Sequence, residues 1–196
     1  GTAIYRSDDG GERWEKLSKG LPKSNMGKIG LAISPQAPDV VYAAIELDRR
    51  TGGVYRSTDR GASWEKRSDA VSGATGPHYS SPLLIVAGGE TQVVVNAEPV
   101  AAYAPDTGAE LWRCSGMKSV VAPSCAFDGT FVYAASGRNG PAMAIDPTGR
   151  GDVSETHVRM YVPVGGPYVP SPIVYPVLFV PGDNGTAPFI APGGET

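Results

Sequence analysis

The chain is a succession of short apolar runs separated by polar punctuation. Ile4-Tyr5-Arg6, residues 29–33, residues 40–45, Val54-Tyr55-Arg56 and residues 64–66 are brief, rich in β-branched or aromatic side chains, and bounded by Gly, Ser, Asp or Pro. Ser81-Pro82-Leu83-Leu84-Ile85, Val93-Val94-Val95, Phe131-Val132-Tyr133 and residues 177–180 read the same way. Runs of this length between turn residues predict strands. No long stretch carries a 3.6-residue period. Residues 12–19 are charged like a helix surface, but their Gly and Trp neighbours favour a hairpin. No apolar run approaches the ~18 residues of a membrane-spanning helix.

The punctuation itself repeats. Ser7-Asp8-Asp9-Gly10-Gly11-Glu12-Arg13-Trp14 returns as Ser57-Thr58-Asp59-Arg60-Gly61-Ala62-Ser63-Trp64, at an offset of 57 − 7 = 50 residues. Both copies follow Tyr-Arg and continue Glu-Lys. Self-similarity at this spacing marks a repeat architecture. Ser7, Asp9, Ser57 and Asp59 can accept hydrogen bonds from loop amides, and Gly11 and Gly61 can take positive φ. Trp14 and Trp64 are expected to pack each hairpin against its sheet. The motif Ser-x-Asp-x-Gly-x-x-Trp resembles the Asp-box, or BNR, repeat of sialidase-like, sortilin-like and xyloglucanase-like β-propellers. That resemblance implies a structural hairpin on the face opposite any catalytic site.

A second repeat follows residue 80. Ala102-Tyr103-Ala104-Pro105-Asp106-Thr107-Gly108-Ala109-Glu110-Leu111-Trp112 is echoed by Ala142-Met143-Ala144-Ile145-Asp146-Pro147-Thr148-Gly149, with the aspartates 146 − 106 = 40 apart. A degraded copy is Phe189-Ile190-Ala191-Pro192-Gly193-Gly194-Glu195. The preceding runs open on Ser81, Ser124 and Ser171, at offsets of 124 − 81 = 43 and 171 − 124 = 47. This dialect resembles the blades of pyrroloquinoline-quinone-type propellers, with Asp106, Gly108, Trp112, Asp146 and Gly149 as structural turn positions.

Four short strands per 40–50 residues predict an all-β fold, a β-propeller of four-stranded antiparallel blades. About four blades are represented: two strands in residues 4–17, full sets in 29–68, 81–114 and 124–162, and about three strands in 171–190. An incomplete propeller, a piece of a larger protein, is the expectation. A closed four-bladed ring whose two ends share a blade is the alternative. Open edges would invite self-association. Composition marks a seam. Residues 1–70 hold 22 of the 37 charged residues and 3 of the 18 prolines, whereas residues 71–196 hold 15 and 15. The expected organisation is Asp-box blades in 1–72, a joint in 73–80 and quinoprotein-like blades in 81–196, either as one continuous propeller or as joined pieces of two.

Chemistry is sparse. The net charge of −3 argues against nucleic acid or an anionic membrane as partner. His78 and His157 have no metal-ligand spacing to other side chains. Cys114 and Cys125 are the only cysteines. They are expected near an outer strand and in the next inner strand, as a disulfide in an oxidising compartment or as buried thiols. The quinone-dependent dehydrogenases carry an adjacent cysteine pair, which this sequence lacks. Quinone and calcium are implied only by that resemblance, and no catalytic, cofactor or metal residues are assigned. Neither a sialidase arginine set nor a glycosidase carboxylate pair is recognisable.

The candidate binding residues come from propeller geometry. Gly137-Arg138-Asn139-Gly140 and Gly182-Asp183-Asn184-Gly185 correspond as loops between second and third strands. Residues 76–82 and 166–172 correspond as connections between blades. His78, Tyr79, Arg138, Asn139, Tyr168 and Asp183 are therefore expected around one mouth, facing a protein or a carbohydrate. The competing reading is ordinary turn chemistry. Asn184-Gly185-Thr186 also fits a glycosylation acceptor. No leader-like segment opens the sequence, which starts inside a blade. The resemblance implies a periplasmic or secreted setting. The expected function is a non-catalytic scaffold or binding module of a bacterial envelope or secreted protein. A fragment of a quinone-dependent dehydrogenase or glycoside hydrolase is the alternative.

Overall fold

The apolar runs form eighteen strands and no helix among the described residues. The structure, a computed structural model, describes residues 2–34, 36–47, 51–69, 79–174, 178–180 and 189–190. The strands assemble in chain order into five sheets. The first is the hairpin β1 (Ile4–Arg6) and β2 (Glu15–Leu17). The second is an antiparallel meander of β3 (Met26–Ile33), β4 (Val41–Leu47), β5 (Thr51–Ser57) and β6 (Glu65–Asp69). The third repeats that pattern with β7 (Leu83–Ala87), β8 (Glu90–Val95), β9 (Val100–Tyr103) and β10 (Glu110–Cys114).

The fourth sheet begins with β11 (Ala126–Phe127), β12 (Val132–Ala135) and β13 (Gly140–Ile145). The chain then lays β14 (Gly151–Asp152) parallel to β10, on the edge of the third sheet, before β15 (Val158–Gly166) completes the fourth. The fifth is β16 (Ile173–Val174), β17 (Leu178–Phe179) and β18 (Phe189–Ile190). The strand sets expected from the sequence are all present. The visit of β14 to the neighbouring sheet is additional. It occupies backbone groups that β10 would otherwise offer to another chain.

Alternation along the strands explains how the sheets stack. Successive strand residues face opposite sides. Val93 and Val95 join Tyr42, Val54, Ala101 and Tyr103 between the second and third sheets. Val94, Val100, Ala102 and Trp112 face the other way, onto Val132, Ala134, Met143 and Ile145 of the fourth. Tyr133 and Ala144 then turn toward Val180 and Val174 beside the fifth. At the other end, Ile4 and Leu17 of the hairpin cover Ala43, Ile45 and Tyr55. A sheet buried on both faces needs apolar residues at consecutive positions. Hence Val93-Val94-Val95 and the wholly buried β9, β12 and β13 read as unbroken apolar runs. Each fully buried Val or Ile contributes about 1.5–3 kcal/mol. The two halves of the chain, before residue 70 and after residue 78, thus share one apolar layer between the second and third sheets.

Two further sets of contacts link the stack. At the first strands, the Ser81 N–H donates to Ser124 Oγ at 2.8 Å, and the Ser124 N–H donates to Ser171 Oγ at 2.9 Å. The three serines that mark the repeat therefore form a relay from sheet to sheet. In the second, third and fourth sheets the turn between third and fourth strands reaches back to the preceding sheet. The Trp64 N–H meets the Lys19 carbonyl at 3.0 Å, Asp106 pairs with Arg56 at 3.3 Å, and the Val153 N–H meets the Arg113 carbonyl at 2.9 Å. Among the described residues no sheet closes on itself, and β1–β2 does not pair with β16–β18. The shared blade that a four-bladed ring would need is therefore absent from the described strands.

Candidate functional site

In a four-stranded antiparallel meander, the loop between second and third strands lies at the same edge as the connections to neighbouring sheets. The turn between third and fourth strands lies at the opposite edge. The two edges of this molecule are built differently.

The turn edge is occupied by its own chemistry. In the first box, Ser7 Oγ accepts from the Gly11 N–H at 2.7 Å, and Asp9 Oδ1 accepts from Ser7 Oγ–H and the Arg13 N–H, each at 2.9 Å. In the second, Ser57 Oγ accepts from the Gly61 N–H at 2.8 Å, and Asp59 accepts from Ser57, the Ser63 N–H and the Ser63 hydroxyl. Gly11 and Gly61 sit at φ +99° and +85°, preceded by Gly10 at +76° and Arg60 at +55°. Two left-handed residues in succession turn the chain, and the serine and aspartate side chains hold the resulting amides. The Ser63 hydroxyl and amide, with Ser57, hold the Asp59 carboxyl at about 2, below its ordinary 3.8. The Arg13 amide and the Ser7 hydroxyl lower Asp9.

The tryptophans depart from expectation. Trp64 is buried among Leu17, Leu21 and Tyr55, whereas Trp14 is exposed and does not pack its hairpin against a sheet. Trp64 is covered by the preceding hairpin, and Trp14 has no such cover among the described residues.

The second turn family is structural as well. Asp146 Oδ1 accepts from the Thr148 N–H and hydroxyl, and Arg159 pairs with Asp146 Oδ2 at 3.0 Å. Gly149 is wedged against Val153 and His157, and Gly108 lies against the Arg67 carbonyl. Trp112 is fully buried, and its Nε1–H donates to Gln92 Oε1 at 2.8 Å. Gln92 Nε2 in turn donates to the Pro147 carbonyl at 3.0 Å, tying the third sheet to the turn of the fourth.

The loop edge collects most of the residues expected at the mouth. Tyr79, Arg138, Asn139 and Tyr168 lie along one row; His78 and Asp183, and the 184–186 acceptor motif, lie outside the described residues. The Tyr79 N–H donates to the Val121 carbonyl at 2.8 Å, and the Gly137 N–H donates to the Val120 carbonyl at 3.1 Å. Gly137 also lies against the Tyr168 ring. Arg138 and Asn139 are the central pair of the hairpin loop, at φ +37° and +56°. The tight turn is therefore centred one residue earlier than an Asn-Gly reading places it. Arg138 stacks over Tyr168 at 4.8 Å from the ring centroid.

Lys28 and Lys118 join the row without any local sequence signal. Lys28 Nζ lies 3.4 Å from the Tyr79 ring centroid. Lys118 Nζ donates to the Arg138 and Asn139 carbonyls at 3.0 and 3.1 Å. Asn96 and Ser136 close the second strands of adjacent sheets and brace this edge from below. Asn96 Nδ2 donates to the Pro123 and Ala135 carbonyls, and Ser136 Oγ accepts from the Lys118 N–H. A polar residue ending an apolar run in both repeats was their sequence signal. Glu98 accepts from the Gly116 and Met117 amides. The charged ends of Lys28, Lys118 and Arg138 form no ion pair among the described residues, as is true also of Arg13, Lys16, Lys19 and Lys23, and the Glu46 carboxylate accepts from the Lys28 N–H at 3.1 Å. Arg6, Arg56, Arg60, Lys66, Arg67, Arg113, Arg150 and Arg159 each pair with at least one carboxylate.

Cys114 and Cys125 are free thiols in one apolar cluster. Burial raises them to about 11 and about 12, so both are protonated near neutrality and unsuited to nucleophilic work. His157 holds the Thr156 hydroxyl in a loop at 2.7 Å. Among the described residues no three His, Cys, Asp or Glu side chains converge as metal ligands. No described helix is long and apolar enough to cross a membrane. Comparison with known proteins finds no family model that matches this chain and no curated relative.

Proposed function

We propose that this chain is a stretch of β-propeller acting as a non-catalytic binding scaffold, and that its loop edge recognises an acidic carbohydrate. The observation that carries the reading is the contrast between the edges. The turn edge spends its polar groups on its own loops and on the preceding sheet. The loop edge sets two tyrosines and three cations in a row, and the charged ends of those three side chains form no ion pair among the described residues. Tyrosine faces suit the apolar faces of sugar rings, and the cations suit uronate carboxylates. A rigid stack carrying recognition on its loops is a common division of labour. The Asp-box and quinoprotein-like resemblances support the propeller and an envelope or secreted setting.

The test is calorimetric titration with an oligogalacturonate. Arg138→Ala and Lys28→Ala should each weaken binding by about tenfold, the loss of one charge-assisted contact. Asp59→Ala should lower thermal stability and leave affinity unchanged. Absence of binding, or binding indifferent to both cation variants, would overturn the reading. Capture of an acidic peptide instead, with the same variant dependence, would reassign the ligand to protein.

A further inference from the structure

The first box carries an uncovered copy of an interface that the second box shows in full. Tyr5 is 52 % and Trp14 62 % exposed, whereas Tyr55 is 5 % and Trp64 6 % exposed. The pairs are equivalent, since 55 − 5 and 64 − 14 both equal 50. Tyr5 faces away from Ile4, which with Leu17 is committed to the second sheet. The Trp14 ring is already positioned, because its Nε1–H donates to the Gly11 carbonyl at 2.9 Å.

The cover over Trp64 has a defined chemistry. Leu17 lies against Gly61, where an added Cβ would fall 2.8 Å from its δ carbon. The Lys19 carbonyl takes the Trp64 N–H at 3.0 Å. Gly20, at φ +81°, approaches so closely that a Cβ would fall 1.8 Å from the Trp64 carbonyl oxygen. The Lys19 charge also acts on Asp59. In the first box the Trp14 N–H makes no hydrogen bond among the described residues. Gly11 faces no apolar neighbour except Trp14.

We propose that the Tyr5–Trp14 face is the docking surface for one further β-hairpin of this same repeat, ending in a leucine-like side chain, a basic residue with a free carbonyl, and a glycine, as Leu17, Lys19 and Gly20 do. The argument is continuity. Every interior sheet is buried on both faces by its neighbours, and among the described residues this hairpin is covered on one face only. The occupant would set its apolar side chain on Gly11, its carbonyl on the Trp14 N–H and its basic charge near Asp9.

The test adds a copy of residues 1–50 ahead of residue 1, which preserves the 50-residue period, with Trp14→Phe in the added copy. The original Trp14 then remains the reporter, since Trp64 and Trp112 are buried in either protein. The expected result is a blue-shifted emission, a severalfold drop in acrylamide quenching and a higher Tm. Leu17→Ala with Gly20→Ala in the added copy should restore the quenching. Trp14 as quenchable as in the parent would overturn the proposal. Should the longer chain aggregate, a synthetic peptide of residues 2–24 is titrated into the unmodified protein, and unchanged quenching at saturation overturns it equally. Light scattering of the unmodified chain should show a monomer. A concentration-dependent dimer with shielded Trp14 would assign the face to a second copy and overturn the proposal.

Discussion

The two Ser-x-Asp-x-Gly-x-x-Trp hairpins share a motif and a set of internal hydrogen bonds, yet one tryptophan is a core residue and the other lies in solvent. The serine and aspartate of each box hold amides two to four residues ahead, so the turn closes on its own atoms. Trp64 is buried because Leu17, Lys19 and Gly20 come from a separate hairpin to meet it. The comparison separates two roles packed into one motif. The polar positions make the turn, and the aromatic position presents the turn to a neighbour.

The largest test of that separation is Trp64→Ala against Trp14→Ala. Removing Trp64 should cost about 3–5 kcal/mol, as for buried aromatics, while removing Trp14 should stay within about 0.5 kcal/mol, as for exposed sites. Urea denaturation reads both, and equal losses would break the comparison. Gly20→Ala comes next, because its side chain would meet the Trp64 carbonyl at a left-handed φ. Backbone strain alone should cost on the order of 1–3 kcal/mol. Gly10→Arg is its counterpart: Arg60 already occupies that place at φ +55°, so the graft should cost no more than the left-handed backbone itself, about 1–2 kcal/mol.

A smaller effect belongs to Ser124→Ala, which takes the acceptor from the Ser81 N–H and should cost about 1 kcal/mol in Tm-derived stability. Wild-type stability in that variant would mean the relay is passive. The smallest effect is the acid limb. The folded pKa of Asp59, about 2, lies below the ordinary 3.8, so the unfolded chain takes up a proton first as pH falls. The contribution of Asp59 is complete above about pH 4 and disappears as pH falls toward 2. Asp59→Asn should flatten the Tm profile over that interval, and Asp9→Asn should flatten it over the acid range just below 3.8. Profiles parallel to the parent would remove the carboxylates from the account.

Much of the architecture was legible because each sheet declares itself locally. Val93-Val94-Val95 and Val132-Tyr133 are strands by composition and buried on both faces by continuity. The serines at 81, 124 and 171 were visible as a period, and their relay was not, since a hydrogen bond across 43 or 47 residues leaves no local trace. β14 was illegible because Gly151 and Asp152 carry no strand signal and become one only where β10 offers an edge. At the loop edge, Tyr79, Arg138, Asn139 and Tyr168 were assigned a common edge from repeat geometry. Lys28 was missed because its partner Tyr79 lies 79 − 28 = 51 residues away.

What the sequence by itself determined is the all-β class, the order of the strands and the two turn chemistries, because strand length, alternation and side-chain-to-amide hydrogen bonds act within a few residues. Only the tertiary structure decided which faces are core, which cations stand without carboxylates and which tryptophan is buried. Those properties depend on the residues of a neighbouring sheet, and burial is a property of the pair of surfaces rather than of either one.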